Sequence, residues 1–146
     1  MSASDALRAK GLSWFKDFFA TADTLDTRKW LDTFWLPDAT VQFSNAPDLS
    51  GREVIFSAMD PTFARLGYMH HVIHWTEVAR DKIMVKATIT YRAKGDPKHE
   101  DFAIPGFAVA YFPEEVTADS TNNRIMRLEV YINRTPLEER MAALQK

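Results

Sequence analysis

Tyr68-Met69-His70-His71-Val72-Ile73-His74-Trp75, followed by Ile83-Met84-Val85-Lys86-Ala87-Thr88-Ile89-Thr90-Tyr91-Arg92, is the stretch that decides the fold. In the second run Ile83, Val85, Ala87, Ile89 and Tyr91 fall on one parity, while Lys86, Thr88, Thr90 and Arg92 fall on the other. A period of two with one polar face is the pattern of a half-buried antiparallel strand. Arg80-Asp81-Lys82 reads as a turn, so the two runs are predicted to form a hairpin. A tight turn sets Val78 opposite Met84, Trp75 opposite Ala87 and His71 opposite Tyr91. Directly opposed residues share a face, with Cβ atoms about 5 Å apart. His71 and Tyr91 would then look together into whatever the apolar face encloses. A one-residue slip would turn His71 outward.

Before the hairpin, residues 4–22 read as a helix. Leu7, Gly11, Trp14, Phe15, Phe18, Phe19 and Ala22 recur at three- and four-residue spacing. A second helix covers about 27–35, with Asp26 or Thr27 as its N-cap, and Pro37 ends it. Residues 38–43 read as a short strand. Ser50-Gly51-Arg52-Glu53 has the form of a capping box, with Ser50 as the cap of a third helix that Pro61 should interrupt or kink. After the hairpin, residues 102–112 form a strand that is apolar on both parities, and Pro105-Gly106 argues for a bulge in it. Residues 125–133 form the last strand. Thr135-Pro136-Leu137-Glu138 opens a terminal helix, with Thr135 expected at the cap.

Length and composition narrow the function classes. With 146 residues the chain is one domain that can bury a proper core. A net charge of −2 gives no electrostatic case for nucleic acid or an acidic membrane. There is no cysteine, which excludes disulfides, thiolate metal sites and a cysteine nucleophile. The start shows no secretory leader and no apolar run reaches spanning length, so a soluble cytoplasmic protein is expected. His70-His71-x-x-His74 does not make a metal site on a strand. His71 faces opposite to the other two, and His70 and His74 lie about 13 Å apart at 3.3 Å per residue, whereas zinc needs ligands at about 2.1 Å.

The order of elements and three local signatures resemble the SnoaL-like polyketide cyclases of the nuclear transport factor 2-like superfamily. The signatures are Trp35-Leu36-Pro37-Asp38-Ala39-Thr40-Val41, Gly51-Arg52-Glu53, and Arg127-Leu128-Glu129-Val130-Tyr131-Ile132-Asn133. The resemblance covers nearly the whole chain. It implies an α+β fold in which a strongly curved antiparallel sheet wraps around the N-terminal helices as a cone with one central pocket. Among the enzymes, the chain is similar in part to scytalone dehydratase-like members. Their helix-junction acid matches Asp26 in Leu25-Asp26-Thr27-Arg28-Lys29-Trp30, and their strand histidine matches His71 in Met69-His70-His71-Val72-Ile73. Their second histidine is missing from the Ala103-Ile104-Pro105-Gly106 region, and their tyrosines are replaced near Leu25 and Phe43. Phe43 also stands where ketosteroid isomerase carries its aspartate base.

The candidate catalytic set is therefore His71, Asp26 and Tyr91. An imidazole held by a carboxylate shuttles protons near neutral pH, which elimination, enolisation and cyclisation need. Tyr91 could donate to a developing oxyanion. Each has a structural alternative: an N-cap for Asp26, a satisfied core or interface histidine for His71, packing for Tyr91. Trp14, Phe18, Phe43, Ile73, Ile89, Tyr131 and Asn133 are candidate pocket-lining residues, although Tyr131 and Asn133 fit the outer sheet face equally well. Most of the aromatic set should be core, and part of it suits a flat apolar or aromatic ligand. The expected function is a cofactor-independent lyase, isomerase or cyclase of secondary metabolism, without metal. The alternative is a non-catalytic small-molecule-binding or dimerisation module on the same scaffold. A protein-partner scaffold is a third class. A homodimer through the outer sheet face is expected, since the 102–112 strand is apolar on both parities and Met126, Leu128, Val130 and Ile132 need cover if their face is the outer one.

Overall fold

The computed structural model describes residues 2–121 and 124–145. The order is α1 (Ala3–Ala22), α2 (Thr27–Phe34), β1 (Trp35–Phe43), β2 (Leu49–Ser50), α3 (Arg52–Ala64), β3 (Leu66–Ala79), β4 (Lys82–Ala93), β5 (Asp101–Tyr111), β6 (Ile125–Ile132) and α4 (Thr135–Leu144). The strands form one six-stranded sheet in the order β2-β1-β6-β5-β4-β3. It is α+β, as expected, but the sheet is mixed. β1 runs parallel to β6, with Val41 beside Leu128 and Phe43 beside Val130, and the other neighbours are antiparallel. A wholly antiparallel sheet was the expectation. A parallel neighbour needs a long crossover, and everything from β2 to β5 supplies it here.

Pairing carries one parity across the sheet. Ala87 lies opposite Gly106, and Gly106 opposite Ile132; Ala108 lies opposite Val130. These positions, with Ile83, Val85, Ile89 and Val41, make the concave face. Leu128, Val130 and Ile132 therefore point inward and need no partner for cover, while Met126 stays exposed at the strand's start. β5 carries no bulge at Pro105-Gly106, because its register with β4 is unbroken from Lys82–Tyr111 to Arg92–Asp101. Pro105 is tolerated because it lies one residue beyond the last β5–β6 pair, Gly106–Ile132, where a missing N–H breaks no ladder bond on that side.

The hairpin is tighter than the sequence suggests. Ala79 pairs with Lys82, so only Arg80 and Asp81 turn, with Arg80 at φ 62°. Val78 then faces Ile83, not Met84. A second offset follows between Ile73 and Trp75, leaving His74 as the extra residue of a bulge. Beyond it His71 faces Ile89, and Tyr91 faces Met69. Two one-residue offsets cancel in parity. His71 stays on the concave face, whereas Trp75, on the far side of the bulge, is exposed.

The helices fill the concavity. Trp14, Phe15, Phe18 and Phe19 form the buried stripe of α1, and Gly11 lets the helix close onto the sheet. A Cβ on Gly11 would meet Val78 Cγ2 at 2.9 Å. Each large side chain buried this way stabilises the fold by about 1.5–3 kcal/mol. Trp30 and Trp35 stand edge to face at 5.2 Å in the same core, and neither indole N–H has an acceptor among the described residues. Two caps differ from expectation. Gly51 occupies the N-cap of α3 with φ 94°, and Ser50 belongs to β2. Arg134 is the N-cap of α4, and Asn133 Oδ1 accepts from the Thr135 amide at 3.1 Å. Pro61 does not end α3, since it falls near the last turn and the helix runs on to Ala64.

Candidate active site

One face of the sheet and the helices line an open, largely apolar pocket. The C-terminal turns of α1 bring Phe18, Phe19 and Ala22, α2 brings Trp30, and α3 brings Met59 and Phe63. The sheet contributes Met69 and His71 from β3, Val85, Ala87, Ile89 and Tyr91 from β4, and Val130 and Ile132 from β6. Gly106 faces inward on β5, where a Cβ would meet Ile89 Cδ1 at 2.9 Å, so glycine keeps this part of the wall open. Besides the Trp30 indole, only His71, Tyr91 and Arg134 among the described residues bring polar side-chain groups to the wall.

His71 is held from three sides. Its Nδ1 lies 2.6 Å from Asp23 Oδ1, and its backbone N–H donates to Asp23 Oδ2 at 3.0 Å. Its ring stacks on Phe19 at 4.0 Å and 8°. The side chains of His71 and Asp23 are only 11% and 16% exposed, so water screens the pair weakly. An ionised carboxylate only accepts, so Nδ1 carries the proton and Nε2 of the neutral ring keeps its lone pair. Nε2 has no protein partner among the described residues. Asp23 also lies 3.6 Å from Nδ1 of exposed His70, and His74 Nε2 meets Thr88 Oγ1 at 2.7 Å.

Asp26 is not the carboxylate at His71. It is the exposed N-cap of α2, accepting from the Lys29 amide at 3.1 Å. Asp23 is the C-cap of α1, and the chain turns away after it through Leu25, whose φ of 64° is the left-handed region. A signal for Asp23 was present in the sequence. A carboxylate at the negative end of a helix dipole, with no basic residue in the last turn, is locally unfavourable and calls for a partner elsewhere.

Tyr91 is buried on the pocket wall but opposite Met69 in register, not opposite His71. Burial pushes its pKa up to about 12; the nearby Arg134 guanidinium pulls it down, and Asp23 pushes it further up. Its hydroxyl therefore stays a donor through the physiological range. Among the other expected lining residues, Phe18, Phe43 and Ile89 do face the pocket. Trp14 does not; it stacks on Phe18 at 4.7 Å inside the core. Ile73 lines a separate surface groove between α1 and β3. Tyr131 lies on the outer face and Asn133 beyond the strand end, because Arg127, Glu129 and Tyr131 alternate with the inward Leu128, Val130 and Ile132. Arg134, absent from the expected set, lines the pocket with its guanidinium carbon 5.6 Å from the Phe43 ring centroid.

Among the described residues, no group of three or more His, Cys, Asp or Glu could hold a metal ion, and no helix is long and apolar enough to cross a membrane. No protein-family model matches the chain, and no curated protein matches it in sequence. Solved structures do match. A SnoaL-like protein from Jannaschia sp. CCS1 superposes with a TM-score of 0.69 at 13% identity, covering 94% of each chain. PrhC from Penicillium brasilianum NBRC 6234 gives 0.74 at 12% identity, covering 95% of this chain and 92% of its own. TerC, co-crystallised with polyporic acid, gives 0.65 at 11% identity over 91% and 98%. At such identities the likeness is one of fold, and the fold of this chain is that of the SnoaL-like and nuclear transport factor 2-like proteins.

Proposed function

We propose that the chain is a small-molecule lyase, isomerase or cyclase that works by acid–base chemistry on an apolar or aromatic ligand, without a cofactor. The observation that carries this is His71 on the wall of a largely apolar pocket, held at Nδ1 by Asp23. Asp23 fixes the Nδ1–H tautomer, so Nε2 is the base that takes a proton from carbon. The imidazolium that forms is stabilised by the same carboxylate, and the proton returns from Nε2 to the product. Tyr91, protonated in its buried site, is the donor for the developing oxyanion. The fold is shared with TerC, which was co-crystallised with polyporic acid, and this supports a small-molecule ligand for the chain.

Removal of a carbon-bound proton is common to all three reaction types, so hydrogen exchange tests the proposal before a substrate is known. Bicyclic aromatic ketones in deuterated buffer, followed by NMR, should exchange their α-hydrogens faster with the protein present. The His71→Ala variant should lose the acceleration while remaining folded. If the wild type accelerates exchange in none of them, the non-catalytic binding module takes its place. The phenylalanine at position 43 favours that second reading.

We also propose a homodimer through the outer sheet face. Trp75, Phe107 and Tyr131 form an aromatic row across it, with ring centroids 5.9 and 6.3 Å apart, and Val72 lies exposed on β3. Light scattering at micromolar concentration should give twice the chain mass, and a monomer refutes it.

A further inference from the structure

We propose that Arg134 is an anion anchor in this pocket, so that the ligand is a planar apolar molecule carrying a carboxylate at one edge. This rests on the pocket being a ligand site, but not on its being catalytic. Three observations lead to it. Arg134 is the one Lys or Arg among the described residues that line the pocket. It has no carboxylate within 4.0 Å among the described residues; Arg65, Arg80 and Arg124 share that, but none of them lines the pocket. Its guanidinium lies beside Phe43 and the Tyr91 hydroxyl oxygen instead, between an aromatic ring and a neutral acceptor.

A guanidinium held against apolar walls gives up part of its hydration and gains least from partners of this kind. A carboxylate entering the pocket would supply what is missing. Its two oxygens match the planar fork of donors, and a bidentate pair is stronger than a neutral hydrogen bond. The rest of the wall is aromatic and aliphatic, and it suits a flat hydrocarbon body.

The probes are 2-naphthoate and its neutral isostere 2-naphthamide, titrated by calorimetry and by quenching of tryptophan fluorescence. Wild type should bind the carboxylate at least about tenfold tighter than the amide. Arg134→Gln should weaken naphthoate about 10–100-fold and leave the amide unchanged. Arg134→Lys, which keeps the charge and loses the fork, should fall between them. Arg80→Gln, on the exposed hairpin turn, makes the same change in net charge and should alter neither affinity. Equal binding of the two probes, binding of neither, or an Arg134→Gln variant that keeps the preference for naphthoate overturns the anchor. These outcomes are independent of α-hydrogen exchange, so failure of the anchor and failure of the acid–base chemistry are told apart.

Discussion

Replacing Asp23 with Asn isolates the contribution of the one charge that holds the pocket's histidine. The substitution keeps size and one acceptor oxygen. Two bonds meet at the carboxylate, from His71 Nδ1 at 2.6 Å and from the His71 amide at 3.0 Å. The new amide can serve the backbone bond through its oxygen, but it then presents its NH2 group to Nδ1. The imidazole must become the acceptor there, and its proton moves to Nε2. A hydrogen bond to a charged group contributes about 1.5–3 kcal/mol. Relief of a negative charge at the end of α1 returns about 0.3–1 kcal/mol. The net loss is then about 1–2 kcal/mol, and for a chain of this size Tm should fall by about 3–7 °C. Urea denaturation gives the stability, and imidazole 15N chemical shifts give the tautomer directly. With the lone pair on Nε2 lost, any acceleration of α-hydrogen exchange should fall by about 10²–10⁴-fold. An Asp23→Asn protein with wild-type Tm and an unchanged His71 tautomer would refute the pair as described.

Asp26→Ala should cost about 1 kcal/mol through loss of the α2 cap, while Ser50→Ala should leave the denaturation midpoint unchanged because Ser50 caps nothing; the two midpoints are read side by side. Asp96 is held well below the usual carboxylate range, first by the Arg140 guanidinium and then by the amides of Lys98 and Glu100. Its contribution is present above the ordinary carboxylate pKa of about 3.9 and is lost as pH falls below it, so Asp96→Asn should flatten the acid limb of a stability-against-pH curve. Tyr91, with its pKa pushed up to about 12, favours the fold below the ordinary tyrosine value and loses that contribution as pH rises toward 12. Tyr91→Phe should remove one late-titrating tyrosinate from an ultraviolet titration and leave the earlier ones in place.

The elements were largely legible because their signals are local. The two-residue alternation of 83–91 and the aromatic stripe of 11–22 each require one kind of structure. Partners distant in sequence were harder to read. Asp23 and Asp26 are three residues apart and chemically alike, and only the left-handed turn at Leu25 decides that one stays beside β3 while the other caps α2. The parallel β1–β6 pair leaves no mark on either strand, because a pleat of inward and outward residues looks the same whichever way its neighbour runs. Arg134 sits past the last strand's alternation, where no period applies, and its entry into the pocket depends on where α4 begins. Ser50 had the right residue for a cap and the right spacing to Glu53, yet the helix starts one residue later, at a glycine with positive φ.

The extra residue at His74 also bears on how the protein keeps to itself. β3 is a sheet edge of 14 residues, carrying exposed Tyr68, Val72 and Trp75. An uninterrupted edge of that length, with apolar side chains and free amides, is a template onto which another extended chain can add. The bulge breaks the template into two shorter runs whose side chains face opposite ways, and it twists them out of line. An incoming strand that matched one run would be out of phase with the other. Deleting His74 would join the two runs into one edge from Tyr68 to Ala79, and with it would return the hazard of fibrous assembly that the interruption keeps down.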